Sequence, residues 1–384
     1  MGKSTVHFDY IIIGAGASGL MLANGLGKDS FFSDKSILLL DKDDKQSNDR
    51  TWCFWEKGKG DFDTIVHKQW DHVYVAGEQL GQKLPITPYI YKVVQGIDYY
   101  REYTNSIKKY PNITFLQETV LKIQDGPNAV EVTTTGKQYT ASKVFSSMFD
   151  YKMLRGQSKY PVLQQHFIGW FIKTKAPIFP TDQATFMDFS VPQKGNTRFM
   201  YVLPFSATEA LVEYTLFSGE TLPEQEYEEA IVSYLNENLK SSDYTITKKE
   251  RGNIPMTCFD FRTHNSANIL HIGIAGGWAK SSTGYTFMNT SKKTKKLVNH
   301  LKKGRTLRSF ARKTRFWYYD LLLLDVLHFD NSKGRLIFET LFKNRSPQEI
   351  FKFLNEETNL WEEFQIINSC PKREFIRALL RRLF

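Results

Sequence analysis

The pattern of apolar and polar positions predicts two β–α units, one at the start of the chain and one near residue 270. The first unit begins with an apolar run at 8–13, continues through a glycine-rich turn and a helical stretch at 20–26, and ends in a second apolar run at 37–40. The second unit begins with an apolar strand at 268–272, followed by another glycine-rich turn and a helix over 288–301. Strand, glycine turn and helix in this order are typical of a Rossmann-like domain.

The region between the two units has mainly the period of β-strands, and the chain as a whole is predicted to be α/β with an α+β second region. The closely spaced strands after residue 166 predict one antiparallel sheet, with a short strand or turn at 253–256. Predicted strands lie at 73–80, 83–89, 113–123, 130–135, 138–145, 166–173, 185–189, 198–204 and 210–217, and helices at 99–110 and 223–239. We predict a Rossmann-like dinucleotide-binding domain with inserted strands over 1–150, an antiparallel-sheet substrate domain over 151–265, a return to the first domain over 266–301, and a helical, basic region over 302–384.

The first glycine turn has the spacing of a dinucleotide-binding fingerprint. Gly14 permits a tight turn, Gly16 lets the backbone approach a pyrophosphate, and Gly19 lets the helix pack on the strand. Asp41, at the end of the second apolar run, is placed to accept hydrogen bonds from ribose hydroxyls. An ordinary glycine-rich β–α turn would leave this acid unexplained. The neighbouring Ala15 and Lys42 complete this part of the predicted cofactor site.

An unusual aromatic segment, residues 50–55, follows the loop after Asp41. Arg50 is followed by Thr51 and four residues of which three are aromatic. One interpretation is a lid over a flat ligand, with Arg50 near its phosphates or ring. The other is an edge segment that packs into the core.

The second glycine turn favours a flavin over a nicotinamide cofactor. Flavoproteins of the two-dinucleotide-motif type bring a late glycine turn beside the ribitol and isoalloxazine, whereas a nicotinamide enzyme with one Rossmann domain has less use for it. The alternative is a second, purely structural turn. The candidate FAD-binding residues here are Gly273, Ala275, Gly276, Gly277, Thr283, Gly284 and Tyr285.

Composition and charge narrow the class of protein. No apolar run approaches the roughly 18 residues that a membrane span needs, and the polar start of the chain does not resemble a signal peptide. The three cysteines are scattered, which excludes a metal spacing or disulfide framework and suits a reducing cytoplasm. We therefore expect a cytoplasmic protein without a metal site.

The net charge of +10 is concentrated in one stretch, because residues 292–315 contain eleven Lys or Arg and no Asp or Glu. Aromatic and leucine-rich positions follow at 316–324, and the last helix has apolar residues at helical spacing opposite arginines. Together these features favour peripheral binding to an anionic membrane surface. A solvated basic face is the alternative. Nucleic acid is a less favoured partner, since no nucleic-acid module is visible.

Two acids lie among apolar neighbours. Glu213 is in an otherwise apolar strand, where burial would raise its pKa and keep it protonated near neutrality. The pattern alone also fits an outward position on a half-exposed strand, since Leu211, Glu213 and Thr215 share a face. Asp188 is a comparable acid in a second strand. We name both as catalytic candidates.

Several segments, taken in order, resemble the FAD-dependent lycopene cyclases of the bacterial beta-cyclase type. They are residues 8–41, Arg50-Thr51-Trp52-Cys53-Phe54, Phe186-Met187-Asp188-Phe189, Leu211-Val212-Glu213-Tyr214-Thr215, Asn253-Ile254-Pro255-Met256 and the segment from Gly276 to Tyr285. The resemblance extends over most of the chain up to Leu301. Two departures are Ile274, where flavin oxidoreductases usually have aspartate, and Ser281-Ser282-Thr283, where proline often precedes Ser-Thr-Gly.

The resemblance implies a function and the partners for it. Members of that family use reduced FAD without net redox change to convert the linear ψ ends of lycopene to β-ionone rings, and their essential acid falls on Glu213. NADPH is the expected electron source, a linear carotenoid the substrate, and other carotenoid-pathway enzymes are candidate partners. The alternatives are a flavin-dependent oxidoreductase or monooxygenase acting on a prenyl lipid, and a non-catalytic membrane-surface flavoprotein.

Overall fold

The computed structural model describes residues 6–154, 156–310 and 312–383, which form a mixed α/β fold. The strands are β1 Val6–Ile13, β2 Ile37–Asp41, β3 Thr51–Lys57, β4 Lys68–Trp70, β5 His72–Ala76, β6 Gly81–Pro85, β7 Tyr89–Gln95, β8 Ile113–Gln117, β9 Val120–Asp125, β10 Val130–Thr134, β11 Gln138–Ser146, β12 Val162–Thr174, β13 Ala184–Asp188, β14 Thr197–Pro204, β15 Glu209–Ser218, β16 Tyr244–Thr257 and β17 Ile269–His271. The α-helices are α1 Ala17–Lys28, α2 Gly96–Ile107, α3 Glu224–Glu237, α4 Phe287–Lys302, α5 Arg315–Phe329, α6 Gly334–Asn344, α7 Pro347–Leu354, α8 Leu360–Asn368 and α9 Lys372–Leu383.

The first sheet is Rossmann-like, as predicted. Its order is β8-β2-β1-β11-β10-β9, with β17 pairing parallel to the end of β11. The strands β8, β2, β1 and β11 run parallel, and every residue of β2 is buried because both faces of the sheet are covered. Helix α4 packs on α1, so the two predicted β–α units form one layer.

One predicted strand is in fact two. Residues 113–123 were predicted as a single strand of an antiparallel meander, but β8 pairs parallel with β2, whereas β9 pairs antiparallel with β10. The chain reverses between Gln117 and Val120 without a glycine or proline. That absence removed the signal by which a turn is usually recognised.

The second sheet is mainly antiparallel, with the order β16-β12-β15-β14-β13-β5-β6. Strands β5 and β6 join it although they lie within the first 150 residues, and β5 pairs parallel with β13. The predicted short segment at 253–256 belongs to the long strand β16.

Both faces of the second sheet are covered, which decides where the side chains of β15 lie. Val212, Tyr214 and Leu216 pack in the cluster that contains α3 residues. Leu211 and Phe217, on the opposite face, pack in the cluster that contains residues of the C-terminal helices. Neither face of this strand is solvent-exposed.

A third sheet, β3-β7-β4, and the C-terminal helices complete the fold. The indole of Trp55 on β3 stacks on Phe351 of α7, with ring centroids 4.5 Å apart. The ammonium of Lys280 is buried with Asp320 of α5 at 3.0 Å and Glu356 at 3.3 Å. Among the residues described, no helix is long and apolar enough to cross a membrane.

Candidate active site

A cavity of about 440 Å³ lies between the second sheet, β3 and the C-terminal helices. Its walls are mostly aromatic and aliphatic, with polar side chains among them that include Glu213, Thr215 and Thr283. The apolar lining includes Phe167, Phe186, Phe199, Phe217, Phe287, Leu322, Phe342, Leu354, Ile367 and Ile376. Such a cavity suits a long apolar ligand whose reacting end lies beside the polar side chains.

The cavity contains the carboxyl of Glu213, whose side chain is buried on the inner face of β15. Burial, with a smaller contribution from the negative charge of Glu250, raises the pKa of Glu213 to about 8. Thr215 Oγ1 donates a hydrogen bond of 2.6 Å to Glu213 Oε1. Among the described residues no other hydrogen bond reaches this carboxyl. The group therefore has the environment of a neutral acid that faces an apolar space.

A second carboxyl, which the sequence pattern does not predict, lies in the same row of the sheet. Glu213 on β15 pairs with Gly169 on β12, and Gly169 pairs with Glu250 on β16. Residues directly opposite in antiparallel strands lie on the same face. Glu250 is surrounded in sequence by Lys248, Lys249 and Arg251, a pattern that predicts an exposed strand.

A group of tyrosines borders the cavity on the side of Glu213. The hydroxyl oxygen of Tyr91 is 2.6 Å from that of Tyr201 and 3.2 Å from that of Tyr285. Burial raises the pKa of Tyr91 and of Tyr201 well above the usual tyrosine value, and it raises the pKa of the nearby Cys53 thiol to about 12. All these groups are neutral at physiological pH, and their aromatic faces add a favourable environment for a carbocation.

Asp188 has different surroundings from those predicted for a second catalytic residue. Its carboxylate accepts a 2.8 Å hydrogen bond from Tyr234 Oη of α3 and a 2.9 Å bond from the Ser190 amide. The neighbouring Phe186 and Met187 line the cavity, and Asp188 does not. The structure thus does not bring Asp188 together with Glu213 in the cavity, and it gives the carboxylate a role in attaching α3 to the sheet.

The first glycine turn has the shape that a pyrophosphate requires. Gly14 has a φ of +94°, and a Cβ at Gly19 would lie 1.8 Å from the Gly14 carbonyl oxygen, so these two glycines make the tight turn and the close helix contact. A Cβ at Gly16 would meet nothing within 4 Å. The open space at Gly16, beside the amino end of α1, fits a bound phosphate group.

Three further candidate cofactor-binding residues, Asp41, Lys42 and Arg50, differ in their surroundings. Asp41 is at the end of β2, where its carboxylate accepts from the Ala15 amide and pairs with Lys45 at 3.2 Å, so it borders the glycine turn as expected. Lys42 is exposed. Arg50 is also exposed, just before β3, with Asp49 at 3.9 Å.

One part of the segment 50–55 packs into the core and another part faces the cavity. Phe54 and Trp55 of β3 are buried in the core, while Thr51, Trp52 and Cys53 line the cavity. The indole of Trp52 stacks on Phe287 at 5.4 Å.

The second glycine turn lies against the first. Gly273 has a φ of +60°, and a Cβ there would lie 2.7 Å from Ser18 Oγ at the start of α1. Ala275 is buried, Gly276 packs its backbone on the His271 carbonyl, and Gly277 adopts a left-handed conformation with a φ of +64°. The two predicted turns are therefore brought together by the pairing of β1, β11 and β17.

The chain beyond the second turn continues into the cavity. Thr283, Gly284 and Tyr285 all line it. Thr283 Oγ1 and Gln165 Oε1 are buried at this place without a hydrogen-bond partner among the described residues. Buried polar atoms without partners are rare in proteins, and here they fit the polar edge of a flavin ring. The described residues contain no cluster of three or more acids, histidines or cysteines that would suit a metal ion.

Structural comparisons show that the fold is similar to those of a solved flavoprotein, a monooxygenase and a reductase-like protein. A flavoprotein/dehydrogenase from Cytophaga hutchinsonii superposes with a TM-score of 0.61 at 13% identity, over 98% of this chain and 100% of that one. A p-nitrophenol 4-monooxygenase from Pseudomonas putida gives 0.60 at 13% identity, over 97% and 99% of the two chains. A geranylgeranyl bacteriochlorophyll reductase-like protein from Thermoplasma acidophilum gives 0.58 at 10% identity, over 98% and 96%. The flavoprotein fold is confirmed by these likenesses.

Sequence comparisons identify the family. A lycopene beta-cyclase from Paracoccus sp. is 29% identical over 129 residues, and this match spans 32% of each protein. The sequence model described as "Lycopene cyclase protein" matches residues 9–380, which is nearly the whole chain and includes Glu213 and both glycine turns. The chain therefore belongs to the lycopene cyclase protein family.

Proposed function

We propose that this protein is a lycopene beta-cyclase that closes β-ionone rings at the ψ ends of a linear carotenoid. The observation that carries the proposal is the buried Glu213 carboxyl, whose pKa is raised to about 8 beside an apolar cavity. The cavity wall around this carboxyl is mainly aromatic and aliphatic, which suits a hydrocarbon better than water or phosphate as the reacting partner. An acid that keeps its proton in an apolar space is suited to protonating an alkene.

The proposed reaction uses one proton and returns it. Glu213 transfers its proton to the terminal alkene, and the electron pair of that alkene forms the new C–H bond, leaving a tertiary carbocation. The neighbouring double bond attacks the cation and closes the ring. The ring cation then loses a proton to the Glu213 carboxylate, so that substrate and product are isomers. The apolar lining disfavours water beside the cation, which water would otherwise capture.

FAD is the proposed cofactor, and the residues present fit it. The glycine turns would hold its pyrophosphate, with Asp41 near a ribose, while Thr283 and Gly284 would lie at the ring. When bound and reduced, with NADPH as the proposed electron source, a flavin supplies negative charge that stabilises a nearby cation. The chain's own contribution is the apolar cavity, the acid and the aromatic faces of Tyr201 and Tyr285.

Membrane binding is proposed at a different surface from the basic stretch predicted from the sequence. Among the described residues from 292 to 324, none of the large apolar side chains is exposed. Leu297, Val298 and Leu301 of α4, for example, are buried. The exposed apolar side chains of the C-terminal region lie mainly on α8 and α9, a set that we call the α8–α9 patch: Leu360, Trp361, Phe364, Ile367, Ile376, Leu380 and Leu383.

Two observations support lipid as the occupant of the α8–α9 patch. Ile367 and Ile376 are both exposed and part of the cavity lining, so the patch surrounds a mouth of the cavity. Arg373, Arg377 and Arg381 of α9 are exposed beside the apolar residues, which suits anionic headgroups. A hydrocarbon substrate would then enter from the bilayer without crossing water.

The test of the proposed function is an anaerobic incubation of purified protein with lycopene in liposomes, FAD and NADPH. Monocyclic and bicyclic β-ring products should form without net consumption of NADPH after the flavin is reduced. Glu213→Gln should bind flavin and form no ring, while Glu209→Gln, at the exposed start of the same strand, should cyclise normally. Stoichiometric NADPH consumption with a reduced or hydroxylated product would instead identify a flavin oxidoreductase, and flavin binding without any product would favour a non-catalytic flavoprotein.

A further inference from the structure

Four residues, one on each of four neighbouring strands, form a row across the second sheet on the cavity face. Tyr201 of β14 pairs with Glu213, Glu213 with Gly169, and Gly169 with Glu250. Because each pair is directly opposite, the two carboxyls lie on the same face on either side of a residue that has no side chain. Two acids in such a row normally repel each other, so their arrangement needs an explanation.

Gly169 leaves a gap between the two acids. A Cβ at this position would lie 3.4 Å from Glu213 Cβ and 3.4 Å from Glu250 Cγ, and 2.8 Å from Leu211 Cδ1. Gly169 is in the middle of β12, in extended backbone that other residues also adopt, so no turn requires glycine here. The residue between the two acids in the row therefore adds no side chain of its own, and the field of one carboxylate acts on the other across a single strand.

The two acids differ in their other neighbours. Glu250 Oε2 accepts a 2.8 Å hydrogen bond from Thr51 Oγ1 of β3. Burial raises the pKa of Glu250, whereas Thr51, Lys248 and Arg50 act in the opposite direction. Among the described residues, Glu213 accepts a hydrogen bond only from Thr215, and no cation lowers its pKa. Of the two carboxyls, Glu250 therefore has the neighbours that favour the negative charge, and Glu213 has the ones that favour the proton.

We propose that Glu250 is a positioning residue for the reaction: its carboxylate, held by Thr51 across the gap at Gly169, keeps the proton on Glu213 between turnovers. This inference rests on the proposed function of Glu213 as the proton donor. Glu250 does not line the cavity and so makes no contact with substrate. Its effect on the reaction acts entirely through Glu213.

The other charged and titratable groups around the pair do not replace Glu250 in this role. Tyr91, Tyr201, Tyr285 and Cys53 are neutral at physiological pH because burial raises the pKa of each. Asp49, Arg50 and Lys248 act on Glu250, and Glu250 is the charged side chain that acts on Glu213. Removing its charge should lower the pKa of Glu213, so that Glu213 loses its proton at a lower pH.

The test is the pH dependence of cyclisation by the flavin-loaded protein. In the wild type the rate should fall as the pH rises through about 8, where Glu213 ionises. Glu250→Gln keeps the shape of the side chain and can still accept a hydrogen bond from Thr51. In this variant the fall of the rate at high pH, the alkaline limb of the profile, should move to a lower pH by about one unit, while the rate near pH 6 is preserved. At pH 8.5 the variant should therefore be slower than the wild type by a factor of about eight. Thr51→Val should shift the limb in the same direction by less.

A direct measurement separates this inference from the proposed function. The infrared band of the protonated Glu213 carboxyl, assigned as the band that Glu213→Gln removes, should disappear at lower pH in Glu250→Gln than in the wild type. An unchanged band and an unchanged alkaline limb would overturn the inference while leaving Glu213 as the proton donor. Full activity of Glu213→Gln would overturn the proposed function itself. Glu209→Gln is the matched control, and it should not shift either profile.

Discussion

The hydroxyl of Thr215 donates to Glu213 across 2.6 Å, from two residues further along the same face of β15. This bond leaves the second carboxyl oxygen of Glu213 as the place for the proton. The ring-closing proton is therefore expected to come from Oε2 of Glu213 and not from the oxygen that is bonded to Thr215. Thr215→Val should remove the constraint and slow cyclisation, while flavin binding is retained.

Glu213 should also make stability depend on pH. Its pKa is about 8 in the folded protein, above the ordinary glutamate value of 4.5 expected for the unfolded chain. The folded state therefore holds a proton that the unfolded state releases, and this contribution to the free energy of unfolding decreases as the pH rises from about 4.5 to about 8. Denaturant titrations of Glu213→Gln should lack this decrease. A wild type and variant with parallel pH profiles would contradict the raised pKa.

The glycine turn offers a clean test of flavin binding. A side chain at Gly16 would meet no protein atom within 4 Å, so Gly16→Val should fold normally and block only the approach of a pyrophosphate. Gly219→Val is the matched control, because Gly219 is equally open and lies outside the turn. Flavin absorbance per folded protein should be lost in the first variant and kept in the second. Undiminished flavin in Gly16→Val would place the cofactor elsewhere.

Asp188→Asn should affect stability more than chemistry. Asp188 accepts hydrogen bonds from Tyr234 and Ser190 and does not line the cavity. Weakening these bonds should lower the free energy of unfolding by about 1–3 kcal/mol, while the cyclisation rate per folded molecule should change by less than about tenfold, below the range for loss of a general acid. Urea unfolding and initial rates at saturating lycopene would separate the two effects. A rate loss as large as that of Glu213→Gln would restore Asp188 as a catalytic residue.

The α8–α9 patch should determine binding to lipid. Trp361 and Phe364 are 66% and 54% exposed, so their replacement by serine should leave the fold intact and release the protein from liposomes. Leu121→Ser is the control, since Leu121 is 62% exposed on β9 of the first sheet. Co-sedimentation with anionic and neutral vesicles would also show the contribution of the arginines, which high salt should weaken. Normal lipid binding by the Trp361→Ser, Phe364→Ser double variant would refute this surface.

The β–α units could be predicted from the sequence because their signal is local. Gly14, Gly16, Gly19 and Asp41 lie within one short stretch, and each has a steric or polar role that its residue type reveals. The turn between β8 and β9 was missed because it contains no residue that marks a reversal.

The two acids show why the site was harder to predict. Residue pattern alone could not choose the face of Glu213, since both faces of β15 are buried, and the family resemblance supplied that choice. Glu250 was missed because its neighbours in sequence are charged, and only the register of three strands that lie far apart in the chain brings it beside Gly169. Such pairing has no local signature.

The buried contact of Lys280 with Asp320 and Glu356 has a consequence for how the protein is organised. Lys280 lies on the loop between the second glycine turn and the cavity, whereas its two partners belong to the C-terminal helical region. Deleting that region would leave the ammonium buried without a counter-charge or expose it together with the cavity wall. The last seventy residues are therefore an integral part of the cofactor-binding unit, and a shortened chain that ends after α4 should not be a self-sufficient flavin-binding domain.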